Sequence, residues 1–139
     1  WLRRELRKKG FQGPDHPVKV YKAGYEYDIL MVSETQRTIV LADAKYRDVN
    51  SSSVTGANLL AQELLGDDRL LAEAKRQENR LLFFLQSTSA FEKFLTHKEP
   101  WTAYKVKSYL VTKHVPLISK HGSTEVMRAH DFLQSVAPS

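Results

Sequence analysis

Residues 24–49 read GYEYDILMVSETQRTIVLADAKYRDV, and their pattern decides the fold. Two apolar runs, Tyr27 to Val32 and Thr38 to Lys45, flank a polar turn from Ser33 to Arg37. Both runs are nearly continuous rather than alternating, so both faces of the sheet they form must be covered. If the turn is centred between Thr35 and Gln36, cross-strand partners sum to 71. Glu34 then faces Arg37, and Asp28 faces Asp43. Directly opposed residues point to one side with Cβ atoms about 5 Å apart. Lys45 lies two residues beyond Asp43 on that same side, about 7 Å along the strand. A slip of one residue would separate the two acids onto opposite faces. Thr-Gln is a poor two-residue hairpin turn, so a longer loop or a bulge is expected.

Two carboxylates this close do not both ionise cheaply unless a cation joins them. Oxygen ligands without thiols suit Mg²⁺ or Mn²⁺. Such an ion polarises a phosphate and lowers the pKa of a bound water, and Lys45 is placed to orient that water or offset transition-state charge. The constellation is therefore one for phosphodiester hydrolysis. Glu26 competes with Asp28 for the role of strand acid, being two residues earlier on the same strand face.

Working outward, WLRRELRKK at residues 1–9 reads as a short basic helix, with Leu2 and Leu6 on one face and Gly10 as its C-cap. Glu5 is its only acid, suited to an i, i+4 pair with Lys9. Residues 18–23 alternate as a half-exposed strand. Ser51, Ser52 and Ser53 belong to a polar loop between Asp48 and Gly56. Ala57 to Leu65 reads as one or two helical turns ended by Gly66, and Asp67 to Gln86 as the main helix, capped by Asp67 or Asp68. Leu70, Ala74, Leu81 and Leu85 form its core stripe, and Arg69, Arg76 and Arg80 with Glu73 a solvated charged face. Phe91 to Leu95 suggests a shorter helix. Tyr104 to Thr112 is a strand whose Lys105 and Lys107 blunt an edge. Glu125 to Ala129 is one more strand, and Asp131 to Val136 a closing helix.

The chain has 139 residues, 42% hydrophobic content and net charge +5. That suits one domain, residues 1–139, with a real core. The opening Trp1 fits a domain cut from a longer protein with further domains. The absence of cysteine excludes a disulfide scaffold, a thiolate zinc site and a thiol nucleophile, and fits a cytoplasmic setting. No apolar run reaches the ~20 residues of a membrane span. A sequence pI of about 9.5 favours polyanions, nucleic acid first. His16, His97, His114, His121 and His130 have no ligand spacing.

Asp28 followed by Asp43-Ala44-Lys45 across one strand and a turn resembles the PD-(D/E)xK nuclease superfamily. The order of elements also resembles its core. The resemblance covers roughly residues 1–115 and implies an α/β domain with a restriction-endonuclease-like αβββαβ core, a mixed central sheet flanked by helices. It implies a Mg²⁺- or Mn²⁺-dependent endonuclease acting on DNA, with Asp28 and Asp43 on the metal and Lys45 beside them. Many members add an acid from the first helix, which here is Glu5. Some place a polar residue on the helix after the motif, here Gln77 or Lys75. Many cut duplexes as homodimers. Tyr27 stands where proline is common, and Asp43 where Glu is more frequent. A second acid-x-Lys, Glu73-Ala74-Lys75, sits in the long helix away from any strand partner and is set aside. Arg47, Arg76 and Arg80 are the candidate nucleic-acid contacts, with Tyr46 beside them. Two alternatives share the fold: an RNA-cleaving toxin-type domain, and a binding module without turnover.

Overall fold

The computed structural model describes residues 1–20, 24–45, 56–113, 116 and 118–136, with backbone alone for residues 56–69. The elements run α1 (Leu2–Lys8), β1 (Val18–Val20), β2 (Tyr25–Tyr27), β3 (Ile29–Ser33), β4 (Thr38–Lys45), α2 (Gly56–Gln86), β5 (Lys105–Thr112), β6 (Lys120–His121), β7 (Thr124–Arg128) and α3 (Ala129–Ser135). A five-stranded mixed sheet has the order β3-β4-β5-β7-β6, and β1 and β2 pair separately. β3 and β4 are antiparallel, while β4–β5 and β5–β7 are parallel. The β4–β5 crossover contains α2, the expected way to join parallel neighbours.

The apolar runs are buried on both faces as their composition requires: β3 is buried throughout and β4 from Thr38 to Asp43. One face packs Ile29, Met31, Val40 and Ala42 against Leu2 and Leu6 of α1 and Phe132 of α3. The other packs Leu30, Val32, Ile39 and Leu41 against Leu81 and Phe84 of α2. Each such fully buried side chain contributes about 1.5–3 kcal/mol, so the two layers hold the hairpin from both sides. Ile29 pairs with Ala42 and Ser33 with Thr38, which is the sum-71 register. The connection is a four-residue turn, Glu34 to Arg37, with Arg37 at φ 49° and its guanidinium bonded to Glu34. The longer loop keeps the register that a two-residue turn would give.

Several expectations change. The second strand does not run on from Tyr27 to Val32. Asp28 is a bend, with Tyr25–Tyr27 in the small sheet and Ile29–Ser33 in the large one. Gly66 does not end a helix and neither Asp67 nor Asp68 caps one; α2 is continuous over 31 residues. A lone glycine costs about 1 kcal/mol in a helix interior, too little to break one held by tertiary packing. Among the α2 residues whose side chains are described, 70–86, the buried positions are Ala74, Gln77, Leu81 and Phe84, and Leu85 is exposed. After α2 the chain makes a 3₁₀ turn, Thr88–Phe91, rather than a further α-helix. β5 is the middle strand, not an edge, but β7 pairs only from Ser108 onward. Lys105 and Lys107 therefore lie on a local edge and are exposed. Arg128, not Asp131, occupies the N-cap of α3.

The β3 edge is covered by a two-way backbone bridge between Gln12 and Val32, each N–H···O at 2.8 Å. Gly13 follows, and a Cβ there would stand 2.3 Å from the Leu30 carbonyl oxygen, so this close approach requires glycine. The strap holds the outer edge of β3 at Val32, with Gly13 laid over Leu30 and Met31.

Candidate active site

The site forms where β3 begins and β4 ends. Had the sheet continued, residue 27 would pair with Ala44, since partners sum to 71. The bend takes Tyr27 into the small sheet instead. The Asp28 carboxylate fills the gap: its Oδ2 accepts the Ala44 N–H at 3.2 Å. On the far side Arg3 of α1 donates to the Asp28 carbonyl. The bend is thus held by its own side chain and by a helix.

Asp43 lies on the α2 side with Ile39 and Leu41 and is 3% exposed. The Asp28 carboxyl is its hydrogen-bonding neighbour, reached from the bend just outside the ladder rather than as a cross-strand pair. Burial first, then the hydrogen bond and negative charge of Asp28, push the Asp43 carboxyl up to about 7, against the pull of Arg80 and Lys45. Lys45 Nζ stands 3.3 Å and Arg80 Nη1 3.4 Å from Asp43 Oδ2. Neither contact has hydrogen-bond geometry, and Oδ2 is buried without a hydrogen-bond partner. A buried acceptor in that state costs about 1–3 kcal/mol.

The α2 helix supplies the rest. Arg80 also donates to Oε1 of buried Gln77 at 3.1 Å. Its carbonyl accepts the Tyr27 hydroxyl at 2.6 Å, tying α2 to the strand that leads into the bend. Burial raises the Tyr27 hydroxyl above its ordinary range, so it remains a donor. Glu73 Oε2 lies 3.5 Å from Lys45 Nζ, while Arg76 bonds its other oxygen. Glu73, part of the helix-borne acid-x-Lys, reaches the motif lysine from across the crossover. Its signal is the i, i+4, i+7 spacing of Glu73, Gln77 and Arg80, a polar stripe beside the apolar one. The face expected to be solvated therefore turns in part toward the site: Arg80 is 15% exposed, Arg76 62%.

Other candidates lie elsewhere. Glu5 sits on α1, which packs against the opposite sheet face, and pairs with Lys8 at 3.2 Å. Glu26 is exposed in the small sheet opposite Lys19, so Asp28 and not Glu26 is the acid beside Asp43. Lys75 is exposed. Tyr46, Arg47 and the serine run at 51–53 fall outside the described residues.

Among the described residues no group of three or more His, Cys, Asp or Glu stands ready to hold a metal ion. The pair alone is a reasonable fit to Mg²⁺ or Mn²⁺. Mg²⁺ commonly takes one or two carboxylates and keeps several waters, and Asp43 Oδ2 makes no hydrogen bond, though a metal ion there would displace the Lys45 and Arg80 cations that now face it. No helix among those residues is long and apolar enough to cross a membrane. Comparison with protein-family models, curated proteins and solved structures gave no match.

Proposed function

We propose that the chain is a divalent-metal-dependent nuclease, most suited to DNA, of the restriction-endonuclease-like kind. The observation that carries the reading is the convergence of Asp28, Asp43 and Lys45, with a buried Asp43 oxygen that has no hydrogen-bond partner. Asp28 and Asp43 would hold the ion. When bound, it supplies Lewis-acid activation of the phosphate and a water of lowered pKa.

The chain's own part is positioning. The Ala44 N–H fixes Asp28, and the hairpin register fixes Asp43 beside it. Lys45 is held between Asp43 and Glu73, at the mouth of the carboxylate pair, where an ammonium offsets charge developing on a phosphate. Arg80 is the second cation within reach of that phosphate. Net charge +5 favours the approach of a polyanion. The test is Mg²⁺-dependent cleavage of plasmid, single-stranded DNA and total RNA. Asp43→Ala and Lys45→Ala are each expected to lose at least about a hundredfold in rate. Variants that cut like the wild type would end the assignment.

One observation favours a second reading, a binding module without turnover. The network is balanced as it stands: Asp28, Asp43 and Glu73 against Lys45, Arg76 and Arg80. Nucleic-acid binding that survives chelation, with no product under any divalent ion, would select it.

A further inference from the structure

Where the chain passes from the small sheet to the large one at Asp28, a depression of about 300 Å³ opens to solvent, lined by Trp1, Arg3, Pro17, Asp28, Ile29 and Ala44. It shares Asp28 with the candidate site, while Ile29 and Ala44 belong to the α1 face of the sheet, opposite to Asp43. The Ala44 N–H is the donor to Asp28, and Ala44 lies between Asp43 and Lys45 in the chain.

Two features give the depression a chemical character. The Trp1 indole is 65% exposed. A solvated indole at the rim of a cleft is a stacking platform for a base, since every base has a π-face. The Arg3 guanidinium is held in place by its bond to the Asp28 carbonyl, and its Nε is buried with no hydrogen-bond partner. It brings positive charge to the backbone of the residue that carries the site's first carboxylate. Arg4 adds an exposed cation on α1, while Arg7 and Lys8 pair there with Asp15 and Glu5.

Size decides the ligand. About 300 Å³ is the lower end of the range for ligand pockets. It admits one nucleotide and not the width of a duplex. We infer that the depression is a subsite for an unpaired nucleotide, whose base stacks on Trp1 and whose phosphate lies beside the Arg3 guanidinium. The chain then prefers single-stranded or frayed nucleic acid to a closed duplex. The inference rests on the proposed function only in taking the ligand to be nucleic acid.

The experiment is fluorescence anisotropy with divalent ions chelated, using labelled oligothymidylate, oligouridylate and a blunt duplex. Trp1→Ala is expected to weaken single-strand binding about tenfold and leave blunt-duplex binding within about twofold. Arg3→Gln should act in the same direction, and circular dichroism checks its fold. Trp101→Phe, at the other tryptophan, should change neither. Loss on either single strand supports the subsite. Three results would overturn it: no single-strand binding by the wild type, equal single-strand affinity of wild type and Trp1→Ala, or an equal loss on the duplex. Cleavage is read separately. A wild type that binds through Trp1 and cuts nothing sinks the nuclease reading and leaves the subsite standing.

Discussion

The two ends of the β3–β4 hairpin carry acids in opposite states. At the turn, burial alone would raise the Glu34 carboxyl. Hydrogen bonds from the Tyr104 hydroxyl and the Lys98 amide, with the Arg37 charge, instead hold it below the ordinary range. At the open end, Asp43 is buried against Asp28 and pushed up to about 7, with one oxygen that faces Lys45 and Arg80 but accepts no hydrogen bond. The ladder is the same and has five residue pairs, yet one acid is met by hydrogen-bond donors and the other has an oxygen that accepts none. A carboxylate kept for structure collects donors. One left strained beside a second carboxylate costs stability and has a reason to persist only if something else uses it.

The contrast can be broken at either end. The largest expected effect is on turnover. Asp43→Asn should abolish most Mg²⁺-dependent cleavage, by about a hundredfold or more, while Glu34→Gln leaves the rate within about twofold. Similar losses at both ends would erase the distinction.

The next effect is on stability, and its sign is unusual for an acid. The folded carboxyl of Asp43 titrates near 7 and the unfolded one in the ordinary carboxylate range near 4, so the folded state holds the extra proton. That contribution is fully present below pH ~4 and is lost as pH rises through about 7. Asp43→Asn should therefore stabilise the chain at pH 8 relative to the ionised wild type and flatten its stability between pH 4 and 7. Glu34→Gln should destabilise it at neutral pH by about 1 kcal/mol instead. Urea unfolding across pH checks both.

The smallest expected effect is on metal affinity. Arg80 Nη1 stands 3.4 Å from the oxygen a divalent ion would use. Removing that positive charge in Arg80→Gln should tighten Mn²⁺ binding about tenfold by calorimetry at pH 8.5, where proton competition at Asp43 is small. Unchanged affinity would mean that Arg80 does not compete for the site.

Much of this was legible in residues 24–49. Two apolar runs with opposite charges at Glu34 and Arg37 fix the register, which puts Asp43 one residue past the Ile29–Ala42 end of the ladder, where the bend carries Asp28. The bend at Asp28 was not legible, because YEYDILMV stays strand-like throughout and nothing local says that its halves join different sheets. The reach of Glu73 and Arg80 was hidden for a related reason. Spacing along a helix gives relative phase, but which polar stripe meets the end of β4 depends on how the crossover lies on the sheet. Glu5 misled in the reverse direction: its place in the sequence fits a third acid, but α1 covers the other sheet face.

The most direct test of the central claim is a crystal soaked in Mn²⁺ at pH 8 with anomalous data collected. The account predicts one peak in contact with both Asp28 and Asp43, with Arg80 withdrawn from Asp43. No peak at an accessible site, with Lys45 and Arg80 still against Asp43, would contradict it.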